Sequence, residues 1–268
     1  LAQALQALRP PRAAATVGSV RAAVRQLVSG GALLPNRLGR VVVATSDEIR
    51  AQWEPLIGPV AMGSEAEGKA QGFYDPQTKT VFLIADHIQA GDELGVVAHE
   101  LMHKHGPAVL GEDGWNRLHG AIESWASAEP GSMERRVYDE AAARVRESRP
   151  AGAEERGYTS QELFPYAVQV ALELGVRPNA LAPQGTVARW LGQVKAMLRQ
   201  VWQKIAGGKA DFNSLDLVNL AFGIAQRENP EHAGELDGAI AGVEREIRAV
   251  IDAARSPGHA PQKAILGQ

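Results

Sequence analysis

The sequence predicts an α+β fold that is predominantly helical, with a small β-sheet, a hairpin plus one strand, placed before a central helix and followed by a helical C-terminal region. Two β-prone stretches, Arg40 to Thr45 and Gly72 to Ile84, lie in the first third of the 268 residues. Beyond about Asp92 the apolar residues recur at helical spacing, with glycine, proline and capping residues between the runs.

The segment Leu1 to Leu8 stops at Arg9-Pro10-Pro11-Arg12, because consecutive prolines remove donors and exclude helix from the residue before them. Residues 1–17 are therefore read as an N-terminal arm. A helix is expected from about Ser19 to Val28, closed by Gly30-Gly31, then a buried β-branched strand, then a helix capped by Ser46 and running to about Trp53. In Gly72 to Ile84, Asp75-Pro76 and polar turn residues separate two β-prone runs and spell a hairpin. Helices are then expected over about Asp92 to His105, where Gly106-Pro107 ends the run, Asp113 to Ser127, Ser132 to Glu147 and Ser160 to Leu174. The Pro-, Asn- and Ala-rich linker from Gly175 to Gly185 marks a boundary between a domain of residues 18–178 and a helical C-terminal module of residues 179–268. Within that module, helices are expected over Val187 to Ala206, Ser214 to Arg227 and Gly234 to Ala254.

Composition excludes several functions. A formal net charge of −3 gives no bulk attraction for polyanions, and no apolar run approaches the roughly 20 residues that span a bilayer. The N-terminus lacks the layout of a secretory signal, so this piece reads as soluble. With no cysteine there is no disulfide and no thiolate ligand; a metal would have to be held by His, Asp or Glu. The chain opens on Leu1, not Met, as expected of a processed or excised part of something longer.

The pattern that carries chemistry is His99-Glu100-Leu101-Met102-His103. At about 100° per residue, Leu94, Val97, Ala98, Leu101 and Met102 share one stripe, while His99 and His103 lie about 40° apart on another face with Glu100 beside them. Two imidazoles one turn apart can bind one tetrahedral Zn2+, and the intervening Glu is aimed at the remaining coordination position. Glu100 is then the expected general base for a metal-activated water, the chemistry of a zinc-dependent metallopeptidase acting on a protein or peptide. A chance match to the three fixed positions is expected in on the order of one chain in a hundred of this length, so coincidence is the weaker explanation. His105 projects back towards the apolar stripe and reads as a packing or capping residue.

A third ligand decides the subclass. The long form of the motif needs a further His where Val109 stands, which excludes it. Its main rival places a Glu on a later helix. Glu162, opening an apolar helix of Leu163, Phe164, Ala167, Val168, Val170, Ala171 and Leu174, is the leading candidate, although Thr159 and Glu162 also spell a capping box. Glu140 is the reserve and Glu173 is weaker. Tyr166, one turn beyond Glu162, is read either as a donor to the tetrahedral oxyanion or as core. His87 could approach the cleft or be an ordinary loop histidine. The second hairpin strand, Thr80 to Ile84, is the candidate edge for pairing with extended substrate, or else plain sheet core.

The runs Gly72-Phe73-Tyr74-Asp75-Pro76, Val81-Phe82-Leu83-Ile84 and Val96 to Lys104 resemble the metallopeptidase domain found in large polyvalent proteins of bacteriophages and related mobile elements. Glu162-Leu163-Phe164-Pro165-Tyr166-Ala167-Val168 and Ser214 to Gln226 are similar to the same group. The resemblance spans about Arg40 to Arg227 and implies a zincin-like fold of the Glu-ligand type, with Glu162 favoured over Glu140. Pro165 departs from the small residue expected there. The resemblance also implies a segment of a much longer chain, with other domains of that chain as partners, packaged in a virion or delivered into a bacterial host.

Between Glu173 and Asp211 there are six basic residues and no acidic ones. The helix of residues 187–206 is therefore either a solvated basic face packed on its own domain or a contact for membrane or nucleic acid. Two further readings use the same motif: a toxin or effector protease with one host target, and a zinc-stabilised interaction module without turnover.

Overall fold

A computed structural model describes residues 13–29, 41–57, 70–149, 152, 154–178 and 212–225, and within these the chain is α+β, mainly helical, with one three-stranded sheet. The elements are α1 (Val17–Ser29), β1 (Val41–Ala44), α2 (Ser46–Gln52), α3 (Glu54–Ile57), β2 (Gly72–Asp75), β3 (Thr80–Ile84), α4 (Glu93–Ser124), α5 (Met133–Ser148), α6 (Glu155–Glu173) and α7 (Ser214–Ala225). The helices expected at 187–206 and 234–254, including the basic one, lie outside the described residues.

The hairpin and the separate strand form as expected, in the order β1-β3-β2, with β1 parallel and β2 antiparallel to β3. The period of two along a strand sorts β3 onto two faces. Val81 and Leu83 join Val41 and Val43 in the main core, while Phe82 and Ile84 join Ala44 and Ile49 in a smaller one. That second cluster is closed by Trp53 edge-on to Phe82 and by Phe73 stacked on it at 4.8 Å. β3 is thus central, paired on both sides, which overturns its role as the substrate edge: its main-chain groups are already in ladders. β1 and β2 are the edge strands, each with an outer side that has no partner strand among the described residues.

Local chemistry moves several boundaries. The cap of α2 is Thr45, not Ser46: Thr45 and Glu48 exchange the reciprocal bonds of a capping box, and Ser46 instead donates its N–H and hydroxyl to Asp86 at 2.7 and 2.6 Å. The central helix does not end at Gly106-Pro107. Pro107 is exposed and forfeits only the N–H that would bond the His103 carbonyl, so the helix continues and breaks at Gly111, where φ is 64°. α6 begins at Glu155, earlier than expected. The end of the N-terminal arm is docked, with Ala15 donating to the Ile88 carbonyl and Ala90 to that of Ala13.

The linker reading puts α7 in a separate C-terminal module, yet its residues lie in the same core as α1, α4 and α6. Every residue from Leu217 to Ala225 is buried. Asn213 and Asp216 cap its start reciprocally, the Trp125 indole donates to the Phe212 carbonyl, and Glu134 of α5 accepts from both the N–H and the hydroxyl of Ser214 at 3.1 Å. Because Glu134 serves as a cap borrowed from another helix, Glu134→Ala is expected to cost about 1 kcal/mol, a fall in Tm of about 2–4 °C in a chain of this size. An unchanged thermal melt would show that α7 is held without it.

Candidate metal centre

α4 brings His99, Glu100 and His103 to the middle of the molecule. The expected apolar stripe is its core side, with Val97, Ala98, Leu101 and Met102 at most 1% exposed. The other face is buried too: His99 and Glu100 are 7% and 6% exposed, covered by α6 and by the start of β2.

From α6, Glu162 reaches the two imidazoles. Its Oε2 lies 3.2 Å from Nε2 of His103 and 3.5 Å from Nε2 of His99, and the two nitrogens are 3.1 Å apart. Since α6 starts at Glu155, Thr159 and Glu162 are inside the helix and the capping-box reading of this pair is overturned. The reserve residues are engaged elsewhere: Arg144 binds Glu140 at 3.2 Å and Glu173 at 2.6 Å, away from the histidines.

Does this donor set fit one ion? Hydrogen bonding alone satisfies the triangle poorly. Each neutral imidazole carries one proton, and if both histidines donated to Glu162 their N–H groups would confront each other at 3.1 Å. A tetrahedral zinc at about 2.0–2.2 Å from each ligand sets the ligands about 3.3–3.6 Å apart, close to the three separations seen. The residues present therefore fit such an ion. Nδ1 of His99 is buried with no hydrogen-bond partner among the described residues, and within these the ring is held by contact. The contact is Tyr166, whose ring meets that of His99 edge-on with centroids 4.5 Å apart.

The electrostatics follow from burial and proximity. Burial pushes the Glu100 carboxyl up, against the opposing pull of His99 and His103. Burial acts in the same direction on Glu162, but hydrogen bonds and charge from His103 and then His99 override it and hold Glu162 far below the usual carboxylate range. Burial would lower His103; its bond to Glu162 reverses the sign and raises it. Tyr166 is raised chiefly by burial and so stays a protonated donor, with the Ser148 hydroxyl opposing the shift. Ser148 also accepts from Tyr158 through its carbonyl and its hydroxyl, both at 3.1 Å.

His87 is not part of the centre: its Nδ1 binds the Ala70 carbonyl at 2.8 Å, just ahead of β2. His105 is half-buried and also lies outside it. Val109, where the long motif would need a ligand, is in the core. Gly72 neighbours Glu100 and is not readable as a site residue, since nothing in a hairpin pattern says which helix its first residue will face.

Comparison with protein-family models, with curated proteins and with solved structures returns no match for this chain.

Metal-free stability should depend on pH through the Glu162–His103 pair. Glu162 is depressed, so its contribution is present above its ordinary 4.5 and is lost as pH falls through its folded value. His103 is raised, so its contribution is present below 6.5 and is lost as pH rises through its folded value. In chelator, Tm is expected to decline as pH is raised from about 6.5 to 9, and Glu162→Gln should flatten that decline. Zinc needs neutral imidazole, so the apparent zinc affinity should rise over the same interval. An equal slope in wild type and Glu162→Gln would rule the pair out as its source.

Proposed function

We propose that the chain is a zinc-dependent metallopeptidase in which Glu100 is the general base. One observation carries this reading: Nε2 of His99, Nε2 of His103 and Oε2 of Glu162 converge from two helices, all within 3.1–3.5 Å of one another, with Glu100 between the histidines. Two imidazoles and one carboxylate form a donor set that catalytic zinc sites use, with a further position open to water or substrate. A small sheet ahead of the motif helix and a Glu on a later helix support the zincin-like, Glu-ligand assignment. The likeness to phage polyvalent metallopeptidase domains supports the same class and a place within a larger protein.

His99, His103 and Glu162 would hold the ion, which when bound polarises a carbonyl and lowers the pKa of water to about 7. The Glu100 carboxylate takes the proton of the attacking water and returns it to the departing nitrogen, and burial, by raising its carboxyl above the ordinary value, makes it a stronger base for the first of these steps. Tyr166, protonated and beside His99, supplies a hydroxyl to the developing oxyanion and packs the ring it touches. The Gln71 carbonyl accepts from the Ile84 N–H, so by antiparallel alternation Gly72 and Tyr74 turn their main-chain groups to the outer edge of β2. An extended substrate pairs there.

Zinc content and turnover separate the roles. Glu100→Gln should retain about one zinc per chain and lose about 10²–10⁴-fold in kcat, whereas Glu162→Ala should lose the metal. A proteome-wide comparison of cleavages by wild type and Glu100→Gln tests the class: many sites indicate a processing peptidase and one dominant target an effector. No difference between the two would defeat the proposal in favour of a zinc-stabilised interaction module. Tyr74→Pro, which deletes an outward N–H, should raise KM about fivefold, the worth of one hydrogen bond, with kcat retained; an unchanged KM argues against pairing at β2.

A further inference from the structure

We infer that Gly72 is a positioning residue for Glu100: the absence of a side chain there lets the β2 backbone act as the wall against which the Glu100 carboxylate rests. A Cβ built at residue 72 would stand 2.8 Å from Cγ and 3.0 Å from Oε1 of Glu100, and 2.9 Å from the Phe82 carbonyl oxygen. Backbone torsion is not the reason for glycine here. Among the described residues the glycines with φ in the left-handed range are Gly91, Gly111, Gly131, Gly152 and Gly175, and Gly72 is not among them. At Gly111 the requirement is torsional, with nothing within 4 Å of an added Cβ; at Gly72 it is space.

A wall must itself be fixed, and the approach to β2 is held from three sides. His87 donates to the Ala70 carbonyl at 2.8 Å, the Ile84 N–H donates to the Gln71 carbonyl at 2.9 Å, and the Gln169 amide reaches the Gln71 side chain at 3.5 Å. Gln169 is buried on α6, two turns beyond Glu162, so the helix that carries the third ligand also anchors the strand that backs the base. With Glu100 buried and its carboxylate against this backbone, a methyl group at residue 72 has to displace the carboxylate or the strand. A shift of about 1 Å in a reacting group costs on the order of 10²-fold in rate.

This inference rests on the peptidase reading for its catalytic consequence, but not for its geometry. A double-mutant cycle tests the geometry by thermal melting of the full chain, without any substrate: Gly72→Ala is made in wild type and in Glu100→Ala, where Cγ and Oε1 are gone. The expected result is a smaller loss in the Glu100→Ala background, by about 3 °C or more in Tm, or recovery of folding there if the single variant does not fold. Equal losses, or failure to fold in both backgrounds, would mean that the Phe82 carbonyl alone demands glycine and would overturn the inference. The catalytic consequence is read on fluorescein-labelled casein and by zinc stoichiometry. Gly72→Ala should keep its zinc and its KM while kcat falls about 10²-fold, and a kcat within twofold of wild type would overturn the positioning role. An inactive wild type sinks the peptidase reading instead, and the melting cycle still decides the contact.

Discussion

Glu162 meets His99 and His103 from a different helix, so the separation of α4 and α6 decides whether three atoms can share one centre. Two glycines on α4 are close-packed along this seam, Gly95 against α6 itself and Gly106 against Trp115, which lies beyond the Gly111 kink of α4 and packs on α6. At Gly95, one turn before His99, a Cβ would lie 3.1 Å from both Cγ and the carbonyl oxygen of Gln169 on α6. At Gly106, just beyond His103, it would lie 2.5 Å from Cζ3 of Trp115, whose indole donates to the Ser160 carbonyl and packs edge-on against Phe164. A larger residue at position 95 would push α6 away directly and one at position 106 would displace the Trp115 ring, and interiors packed at crystal-like density have no slack to absorb either. The burial of Leu163, Phe164, Ala167 and Val168 supplies the attraction; the glycines fix how close it can draw the two helices.

Charge is distributed so that this attraction leaves one carboxylate available. α5 and α6 offer Glu140, Glu162 and Glu173 to the same interior, and Arg144 takes the outer two. Glu162 is left to the histidines. Desolvating a carboxylate beside imidazoles is a poor route to stability, since a buried ionic cluster exchanged for packed apolar groups is often neutral or stabilising. The cluster therefore makes more sense as a site than as a fastening. The Arg144–Glu173 pair, by contrast, ties α5 to α6, and with the Arg144–Glu140 pair inside α5 it keeps two further negative charges from the centre.

What the sequence made legible follows from which interactions are local. The motif helix, its apolar stripe, the hairpin and the separate strand were readable because each rests on spacing within a few residues. Glu162 was readable as a candidate because an acid embedded in Leu163-Phe164 and Ala167-Val168 needs a reason to be there, and the rival cap fell only when α6 proved to start at Glu155. Other features depended on tertiary context. Gly106-Pro107 has the letters of a helix stop, but Pro107 faces solvent and one lost bond is a small cost beside the packing of Trp115 on Gly106. The central place of β3 depended on which side β1 would join, and a run buried on both faces does not specify that. Gly72 carried no local signal, because the need for it arises from a helix that follows much later in the chain.

The fate of α7 shows why a linker rich in proline and alanine is weak grounds for dividing this chain. From Leu217 to Ala225 the helix is almost wholly apolar and buried, with Asn219 its one polar side chain, and such a stretch is stable only where other elements cover it. α1, α4, α5 and α6 supply that cover, and the caps from Glu134 and the Trp125 bond to Phe212 fix where it begins. The same α4 and α6 that carry the candidate ligands thus bury their remaining apolar surface against α7. A centre defined by the approach of two helices needs both to be held from behind, and residues 212–225 do part of that holding. Residues past the linker thus take part in the packing that backs the two helices bearing His99, His103 and Glu162.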